Sequence, residues 1–488
     1  MKRTFIIGFL IAAAFGSAGA QLDSVWTRPF GGPGNDGFRS VVATSDGAIL
    51  AVGYTYSFGA ADVNVYAVKA DANGDTIWTR AYGGAGRDYG YGVCETADGG
   101  YVITGYTTTA SAGYEDLYLI KIDADGDTLW TRSYGGAGTD EGRAVSATSD
   151  GYILAAGTTE SYGAGLGDIW LLKLDAAGDT VWTRTYGGVE HDWALGICET
   201  GAGIYGLSAT TGSTSDNRDI EVLRVDPSGA LLSDNWYGNT AAISPDWGGG
   251  ICATQDSGLA VGGFRSQEGN VGDACVLVLY GDGSQRFFRT YSKNFYQYAC
   301  DVLQTWDNAF LTCGADKDPT TMSNDLYLLA RKAGAGWVVD QTIGGPGNEW
   351  GSAIDEIAPG HYVVAGHTNS YGAGGFDGWL VRLKDPATSV GGVEDLDRRV
   401  FFSPPRPNPA RASLAFRMNL SSSGSVNLRV IDVSGRHVRT LHRGDVGPGA
   451  HDFRWDTRDD RGREVASGVY FIVADGSVTG MRRAVVIR

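Results

Sequence analysis

The 488-residue chain is poor in the residues that form cross-links, metal centres and nucleophilic sites. It contains six cysteines, six histidines and four methionines. It has no Cys-x-x-Cys or mixed Cys/His spacing typical of a zinc site. It also lacks a Gly-x-Ser-x-Gly elbow, a His-Glu-x-x-His motif and a phosphate-binding loop. We therefore expect no metal site and no cofactor. Hydrolysis by a carboxylate pair stays open, because such pairs leave no linear motif.

The few cysteines do not form a disulfide framework. Cys94, Cys198 and Cys252 recur at one position of a repeated segment, so they are predicted to lie in separate strands as small buried residues. Cys300 and Cys313 are predicted on adjacent strands, nearly opposite each other. An exported protein permits disulfides, so a bond between these two remains an open alternative.

Long apolar runs are absent except at the start of the chain. A basic Met1–Arg3 precedes an apolar stretch, Phe5–Phe15, and small residues at Ala18–Ala20 suit signal peptidase. The apolar stretch is too short to span a bilayer. We predict a signal peptide at residues 1–20, cleaved before Gln21, and a mature protein that is exported and has no transmembrane segment.

Positive charge is scarce over most of the chain and is concentrated near its end. The whole sequence carries a net charge of −17, yet Arg398–Arg488 contains sixteen arginines and eight carboxylates. This change of sign predicts a domain boundary near residue 390. An acidic surface argues against nucleic-acid binding by the larger part.

A tryptophan instead recurs every 52 residues, at Trp26, Trp78, Trp130 and Trp182. The surrounding phrases read SVWTRPFGG, TIWTRAYGG, TLWTRSYGG and TVWTRTYGG. A fixed period near fifty residues is typical of repeat architectures. One copy divides into four short strands with turn residues between them, the pattern of a β-propeller blade. The predicted strands of that copy are Gly142–Thr148, Tyr152–Thr158, Asp168–Asp175 and Thr180–Tyr186.

The number of copies predicts a closed ring. The aromatic residue of the fourth strand recurs as Phe30, Tyr82, Tyr134, Tyr186, Tyr237, Tyr291 and, degenerate, Ile343. The last copy lacks a fourth strand, whereas the chain begins with an orphan one, Ser24–Phe30. We predict an all-β protein with a seven-bladed propeller at residues 21–385, closed by pairing of Ser24–Phe30 with Asp377–Lys384. Closure removes free sheet edges. The repeated Trp should pack between blades, with its indole N–H reaching the surface.

The repeat phrases resemble those of bacterial extracellular propellers found in large secreted surface proteins. The resemblance rests on W-T-R-x-Y-G-G, on Asp98–Thr107 (DGGYVITGYT) and on Asp116–Asp123 (DLYLIKID), and it covers residues 24–385. It implies the fold and leaves the ligand open, since propellers host many activities. Asp123–Trp130 is also similar to quinoprotein repeats, but the cofactor residues of that family are missing.

A second domain follows a Pro/Gly-rich linker at residues 386–408. Alternating strands at residues 409–488 predict a small immunoglobulin-like β-sandwich. The module resembles the flagellar hook-cap and type IX secretion sorting families. The resemblance implies that it acts as a secretion or sorting signal and that its partner is the outer-membrane secretion machinery. The matching residues are Asn408, Pro409, Gly435, Trp455, Asp456, Gly462, Gly468 and Tyr470.

An acidic residue precedes the first strand of most blades, so these residues are predicted to surround one mouth of the central channel. They are Asp36, Asp88, Asp140, Asp192, Asp246 and Glu349. They could hold a cation, or each could cap its own turn by accepting backbone N–H bonds. Asp71–Asp75 and Asp123–Asp127 have calcium-like spacing, but a hairpin turn explains them equally.

An aromatic residue follows the acidic one in four blades, at Tyr89, Trp193, Trp247 and Trp350. Exposed rings at these positions would stack on sugars or clamp a peptide, whereas buried rings would only wedge the blades apart. The candidate ligand site therefore combines Asp88, Asp192, Asp246 and Glu349 with these four aromatics.

Three functions fit this sequence. The first is a non-catalytic exported or cell-surface propeller that binds a glycan or a protein. The second is a secreted polysaccharide hydrolase or lyase acting at the channel mouth. The third is a structural surface scaffold.

Overall fold

The computed structural model describes fourteen stretches of the chain, and the predicted signal peptide lies outside them. In these stretches no helix has the length and apolar character needed to cross a membrane. The described residues are 21–59, 62–109, 111–212, 218–238, 246–267, 270–291, 296–332, 337–386, 401–402, 410–420, 423–432, 436–447, 449–476 and 480–486.

Twenty-eight strands form the first domain, a seven-bladed β-propeller. In chain order they are β1 (Asp23–Phe30), β2 (Asp36–Ala43), β3 (Ile49–Thr55), β4 (Asn64–Ala70), β5 (Thr76–Tyr82), β6 (Asp88–Glu95), β7 (Tyr101–Thr107), β8 (Asp116–Ile122), β9 (Thr128–Tyr134), β10 (Asp140–Ala147), β11 (Ile153–Thr159), β12 (Asp168–Leu174), β13 (Thr180–Tyr186) and β14 (Asp192–Glu199). The series continues with β15 (Tyr205–Gly212), β16 (Arg218–Val225), β17 (Leu231–Tyr237), β18 (Trp247–Ala253), β19 (Leu259–Gln267), β20 (Asn270–Leu279), β21 (Gln285–Tyr291), β22 (Gln297–Gln304), β23 (Ala309–Lys317), β24 (Asn324–Lys332), β25 (Trp337–Ile343), β26 (Glu349–Ala358), β27 (His361–Thr368) and β28 (Asp377–Lys384).

Each blade is a four-stranded antiparallel sheet whose strands follow one another in the chain. The first blade is ordered β2-β3-β4-β5, and the next five repeat this order. The first strands of successive blades contact one another around the axis, and β26 of the last blade contacts β2 of the first. These strands therefore form the wall of the channel.

The ring closes through the start of the chain. The seventh sheet is ordered β1-β28-β27-β26, with Thr27 opposite Val381 and Phe30 opposite Gly378. The backbone N–H of Leu22 donates to Gln341 on the sixth blade at 2.8 Å, and the Gln341 amide donates back to the Leu22 carbonyl at 3.0 Å. The predicted seven blades and the closing strand are confirmed.

The hydrophobic core of the propeller lies between blades. Each of the seven buried clusters combines side chains from two neighbouring blades. In one of them, Leu50 and Val52 of the first blade pack with Tyr101 and Ile103 of the second. Because a four-stranded sheet buries neither face alone, the apolar second and third strands require a neighbour on each side.

The W-T-R-x-Y segment joins each blade to the next through hydrogen bonds and a contact between Arg and the indole ring. The indole N–H groups of Trp26, Trp78, Trp130 and Trp182 donate to turn carbonyls of the following blade at 3.0–3.2 Å. The Arg two residues later lies over the indole, and the Tyr hydroxyl donates to a glycine carbonyl of the same turn. The repeated Trp packs between blades as predicted, and its indole N–H, which was expected to be able to reach the surface, donates to a turn carbonyl. The turn carbonyl lies at the indole edge and satisfies this donor.

The C-terminal domain consists of two antiparallel sheets packed as a sandwich. Its strands are β29 (Phe401–Phe402), β30 (Leu414–Leu420), β31 (Gly424–Asp432), β32 (His437–Val446), β33 (Gly449–Trp455), β34 (Gly468–Gly476) and β35 (Gly480–Val486). One sheet is ordered β29-β30-β33 and the other β32-β31-β34-β35. The fully buried Trp455 lies in the core with Met418 and Leu428. The predicted immunoglobulin-like sandwich is confirmed, and β29 falls inside the segment predicted as linker.

Candidate functional site

The acidic residues that begin the first strands are buried. Five of them accept an N–H of their own turn, namely Asp36, Asp88, Asp140, Asp192 and Glu349, and Asp246 accepts the Ser266 N–H of the second strand at 2.9 Å. The side chains of Asp36, Asp88, Asp140, Asp192, Asp246 and Glu349 are all 2% exposed or less. Asp88, for example, accepts the Gly84 N–H at 2.7 Å and the Thr107 hydroxyl. Corresponding bonds from Gly188 and Gly345 reach Asp192 and Glu349 at 2.8 and 2.6 Å.

This geometry corrects the ligand-contact expectation for Asp88, Asp192, Asp246 and Glu349. A carboxylate that is buried and already holds backbone N–H groups is not available to a ligand in the channel. In the described part of the chain, no group of three or more His, Cys, Asp or Glu side chains is arranged for a metal ion. The calcium-like turns are hairpins, in which Asp123 accepts the N–H groups of Asp125 and Asp127.

The aromatic residues of the next position meet around the channel. The Trp193 and Trp247 rings stack with centroids 6.3 Å apart, and Tyr298 lies 5.3 Å from Trp350. Trp247 is 36% exposed, whereas Trp193, Trp350 and Tyr89 are partly buried. These rings are therefore neither fully buried wedges nor a freely exposed patch. Trp247 presents the most open surface.

Tyr89 belongs to a second aromatic group on the opposite side of the ring. It stacks between Tyr54 and Tyr106, at centroid distances of 4.6 and 5.7 Å. Its neighbour Tyr91 lies 4.9 Å away and faces the channel. Offset stacking of this kind fixes ring orientation and leaves the hydroxyl ends as polar handles.

A β-bulge in every first strand turns additional side chains into the channel. In β2, for example, the register shifts between Phe38 and Ser40, so Arg39 is left out of the ladder. The residues at the equivalent bulges are Tyr91, Arg143, Leu195, Gly249, Cys300 and Ser352. All of them line one cavity of about 690 Å³, which Trp247, Phe264 and Tyr298 border. Bulges commonly re-aim side chains at functional sites.

Two arginines supply positive charge to this cavity. The Arg39 Nη2 donates to the Tyr89 hydroxyl at 3.1 Å, and its guanidinium carbon lies 5.4 Å from the Tyr54 centroid. Arg143 forms an ion pair with Glu141 and lies 4.1 Å above the Tyr91 ring. The acidic Asp301 also lines the cavity, but its two oxygens accept the N–H groups of Val302 and Ile354.

A pair of carboxyl groups lies beside Arg143. Burial and the neighbouring Glu141 carboxylate raise the pKa of Glu115 to about 6. Like charges that share a site cannot both ionise easily, so Glu115 keeps its proton until the pH rises through about 6. This is the arrangement that the sequence left open for polysaccharide chemistry.

Neither Cys300 nor His367 is activated for catalysis. Burial raises the pKa of the Cys300 thiol to about 11, and its sulfur accepts the Trp350 indole N–H at 3.2 Å. Burial, together with the charge of Arg39, lowers the pKa of His367 to about 4. All six cysteines are free, so the Cys300–Cys313 disulfide is not formed. The bulge pairs Cys313 with Asp301 instead.

Sequence reasoning missed both the bulge residues and the aromatics of the loops between second and third strands. Tyr56, Phe58, Tyr114, Tyr162 and Tyr371 are 43–79% exposed. The available signal was the repeated Ser-aromatic-Gly tripeptide at 57–59, 161–163 and 370–372. Two of these tyrosines also close the loops, since Tyr162 and Tyr371 donate to carbonyls of Gly135 and Gly344.

The sorting-motif residues have structural positions in the sandwich where the structure describes them. Trp455 is fully buried and its indole N–H donates to the Arg458 carbonyl at 2.9 Å, while Asp456 caps the same turn. Gly462 adopts a φ of +76° in a hairpin, and Gly468 begins the strand that carries Tyr470. Asn408, Pro409 and Gly435 lie outside the described residues.

Residues 409–480 match the family described as the FlgD Ig-like domain. No curated protein matches the chain. Among solved structures, the chain is similar to PorZ, an essential surface component of the type-IX secretion system of Porphyromonas gingivalis. The two are 15% identical with a TM-score of 0.45, over 94% of this chain and 60% of PorZ.

Two enzymes show comparable similarity. A fungal alcohol oxidase of the AA5 family, solved in complex with copper, is 13% identical over 96% of this chain and 99% of its own, with a TM-score of 0.49. The periplasmic gluconolactonase of Pseudomonas aeruginosa is 14% identical over 62% and 85%, with a TM-score of 0.43. Likenesses this distant carry no argument about activity.

Proposed function

We propose that this protein is an exported or cell-surface propeller that binds a ligand, a glycan or a protein, without transforming it. The C-terminal immunoglobulin-like domain serves as its secretion or sorting signal. The observation that supports binding is Trp247, which borders a cavity of about 690 Å³, is open to solvent and stacks on Trp193. A cavity of this size falls within the range of small-molecule sites, about 300–1,000 Å³.

Mutation of the aromatic residues Trp193 and Trp247 tests the proposed binding function directly. We expect the mature protein to retain members of a glycan array or of a surface-protein panel. Replacing Trp193 and Trp247 by Ala should weaken that binding at least about tenfold, because sugar and peptide contacts of this kind depend on flat aromatic faces.

The matched control is Trp236→Ala. Trp236 is 65% exposed on the outer strand β17, away from the channel. Its loss should leave binding unchanged. Equal binding by the wild type and the Trp193/Trp247 variant would show that the ligand binds elsewhere on the protein. Normal binding combined with a large loss of stability would make the pair a structural wedge.

The sorting role rests on the FlgD Ig-like match at residues 409–480. In the native host, removal of residues 404–488 should trap the propeller in the periplasm, as measured by fractionation and surface labelling. Deleting the same number of residues from the N-terminal side is no control, because it breaks the ring. A full-length chain with Arg289→Gln on an exposed strand serves instead. Normal export of the truncated protein would refute the sorting role.

The Glu115–Glu141 pair favours a second candidate function, cleavage of a polysaccharide at the channel mouth. A carboxyl group that keeps its proton until the pH rises through about 6, beside a second carboxyl group, suits acid–base catalysis in a weakly acidic medium. The test is release of reducing ends, or of unsaturated product absorbing in the ultraviolet, from a polysaccharide panel. Activity that Glu115→Gln abolishes would replace the binding proposal with an enzymatic one. No release by the wild type leaves the binding proposal in place.

A further inference from the structure

Of the two described arginines that line the cavity, Arg39 has no carboxylate partner among the described residues. The bulge in β2 turns its side chain into the cavity, beside the stacked rings of Tyr54 and Tyr89, whose centroids lie 5.4 and 5.9 Å from its guanidinium carbon. Its Nη2 donates to a neutral phenol, and its Nε is buried with no hydrogen-bond partner among the described residues. The donor fork of this guanidinium is therefore not saturated.

The other charged groups of the cavity are already engaged. Arg143 is paired with Glu141, and the Asp301 carboxyl holds two backbone N–H groups. The charge of Arg39 also depresses the pKa of His367 on the seventh blade, although burial contributes more. Its field thus reaches the neighbouring seventh blade. A partly buried guanidinium without a counter-ion is costly, unless a ligand supplies the negative charge.

Aromatic faces border the same cavity. Trp247, Phe264 and Tyr298 line it from the fifth and sixth blades, and Phe264 stacks on Tyr298 at 4.8 Å. Flat apolar faces opposite a cation match a ring that carries a carboxylate, because one group packs while the other forms a charge-assisted hydrogen bond. The chain carries a net charge of −17, which disfavours a polyanionic chain along its surface.

We propose that the channel binds a terminal acidic sugar, with the sugar carboxylate on Arg39 and the sugar ring against Trp247 and Tyr298. This inference rests on the proposed binding function and specifies its ligand class. A single terminal carboxylate fits both the one unsatisfied cation and the acidic surroundings. Neutral sugars of the same shape should bind more weakly, since they leave the buried guanidinium without a partner.

The test compares matched pairs of oligosaccharides by isothermal titration calorimetry. One member of each pair ends in glucuronate or galacturonate, and the other ends in glucose or galactose. We expect the acidic member to bind at least about tenfold more tightly to the wild type, and Arg39→Gln to remove that preference. Arg39→Lys, which keeps the charge but loses the fork, should retain part of it. Arg289→Gln, an exposed arginine on β21, is the control and should change nothing.

Each outcome separates the inference from the function on which it rests. Loss of the acidic preference in Arg39→Gln, with neutral sugars unaffected and the unfolding temperature maintained, supports the inference. Equal binding of acidic and neutral sugars by the wild type overturns it and leaves the binding function intact. Arg39-dependent capture of a peptide C-terminal carboxylate, without acidic-sugar binding, also overturns it. Failure of every sugar and peptide removes the function together with the inference.

Discussion

At the scale of single residues, the repeated phrase encodes a joint between blades. Trp78 shows each part of it. Its indole N–H donates to the Ala124 carbonyl, Arg80 covers its ring, and Tyr82 donates to the Gly126 carbonyl. Gly126 has a φ of +84°, and a Cβ at this position would lie 3.1 Å from the indole. The glycine of one blade and the tryptophan of the previous one are thus required together.

Removing one tryptophan of this joint should destabilise the propeller. Trp78 is 8% exposed, so Trp78→Ala leaves a cavity and removes one of the two donors to the Ala124 carbonyl, the other being the Lys69 ammonium. We expect the free energy of unfolding to fall by about 3–5 kcal/mol, measured by chemical denaturation. The control is Ile77→Ala on the same strand, where the side chain is 54% exposed and the loss should stay below about 1 kcal/mol. Similar losses of unfolding free energy in both variants would contradict the role of Trp78 in joining the two blades.

The acidic residues show that one sequence pattern can fit two different structural roles. A carboxylate before each first strand fits either a ligand ring or a set of turn caps. Burial decides between them, since Asp88 is fully buried and holds the Gly84 N–H. We expect Asp88→Asn to lower the free energy of unfolding by about 1–3 kcal/mol while ligand affinity per folded molecule stays constant. A specific loss of affinity with unchanged stability would restore a direct role for Asp88.

At the scale of elements, the strand β1 determines whether the ring of blades closes. β1 pairs along its length with β28, and Trp26 packs in the cluster between the seventh and first blades. Without β1, the edge of β28 would be open to pairing with another chain. The same strand joins the two ends of the propeller, so its stabilising effect extends to the last blade.

Deleting residues 21–30 from a protein that begins at Gln21 should therefore weaken the whole ring. Loss of Trp26 alone should lower the free energy of unfolding by about 3–5 kcal/mol. We also expect concentration-dependent association by size-exclusion chromatography, because an edge strand becomes exposed. The control is the undeleted protein that begins at Gln21. Wild-type stability together with a monomeric state in the deletion variant would show that closure contributes nothing.

The contacts between first strands respond to pH. Asp301 on β22 accepts the Ile354 N–H of β26 at 3.0 Å. Burial raises its pKa to about 7, although the N–H groups of Ile354 and Val302 act against this. Because the folded pKa lies above the unfolded one, the protonated form stabilises the fold. This contribution is full below about pH 4 and is lost as the pH rises through about 7.

Asp301→Ser tests this pH dependence of stability. Serine does not ionise in this pH range, and the fold already uses its hydroxyl as a hydrogen-bond acceptor at the equivalent position of another blade. Ser40 holds the equivalent position in the first blade, and its hydroxyl accepts the Val93 N–H at 3.3 Å. Between pH 5 and pH 8, the stability of the variant relative to the wild type should rise on the order of 2 kcal/mol. The measurement is chemical denaturation at both pH values. A constant difference between the two proteins would mean that Asp301 is ionised throughout.

At the scale of the whole molecule, the two domains have separate cores. The propeller buries its clusters between blades, and the C-terminal sandwich buries its own around Trp455. We expect a protein that ends at Lys384 to fold as a cooperative monomer with an unfolding midpoint within a few degrees of the full chain. Circular dichroism and size-exclusion chromatography test this. An insoluble truncated protein alongside a soluble full chain would contradict the predicted division at residues 385–409.

The sequence alone determined the number of blades, the strand order and the closing strand. These features follow from periodicity and turn residues, which act locally and repeat in every copy. The order of strands in a blade is also short-range, since each pairs with the next along the chain.

Only the tertiary structure decided which side chains reach the channel. Arg39 and Cys300 lie at β-bulges, and a bulge shifts the alternation of faces by one residue, so the pattern of apolar positions does not reveal it. Burial of Asp88 and stacking of Trp193 on Trp247 likewise depend on the neighbouring blade, which lies about fifty residues away in the chain. A site built between repeats is set by how the repeats pack, because no single copy contains it.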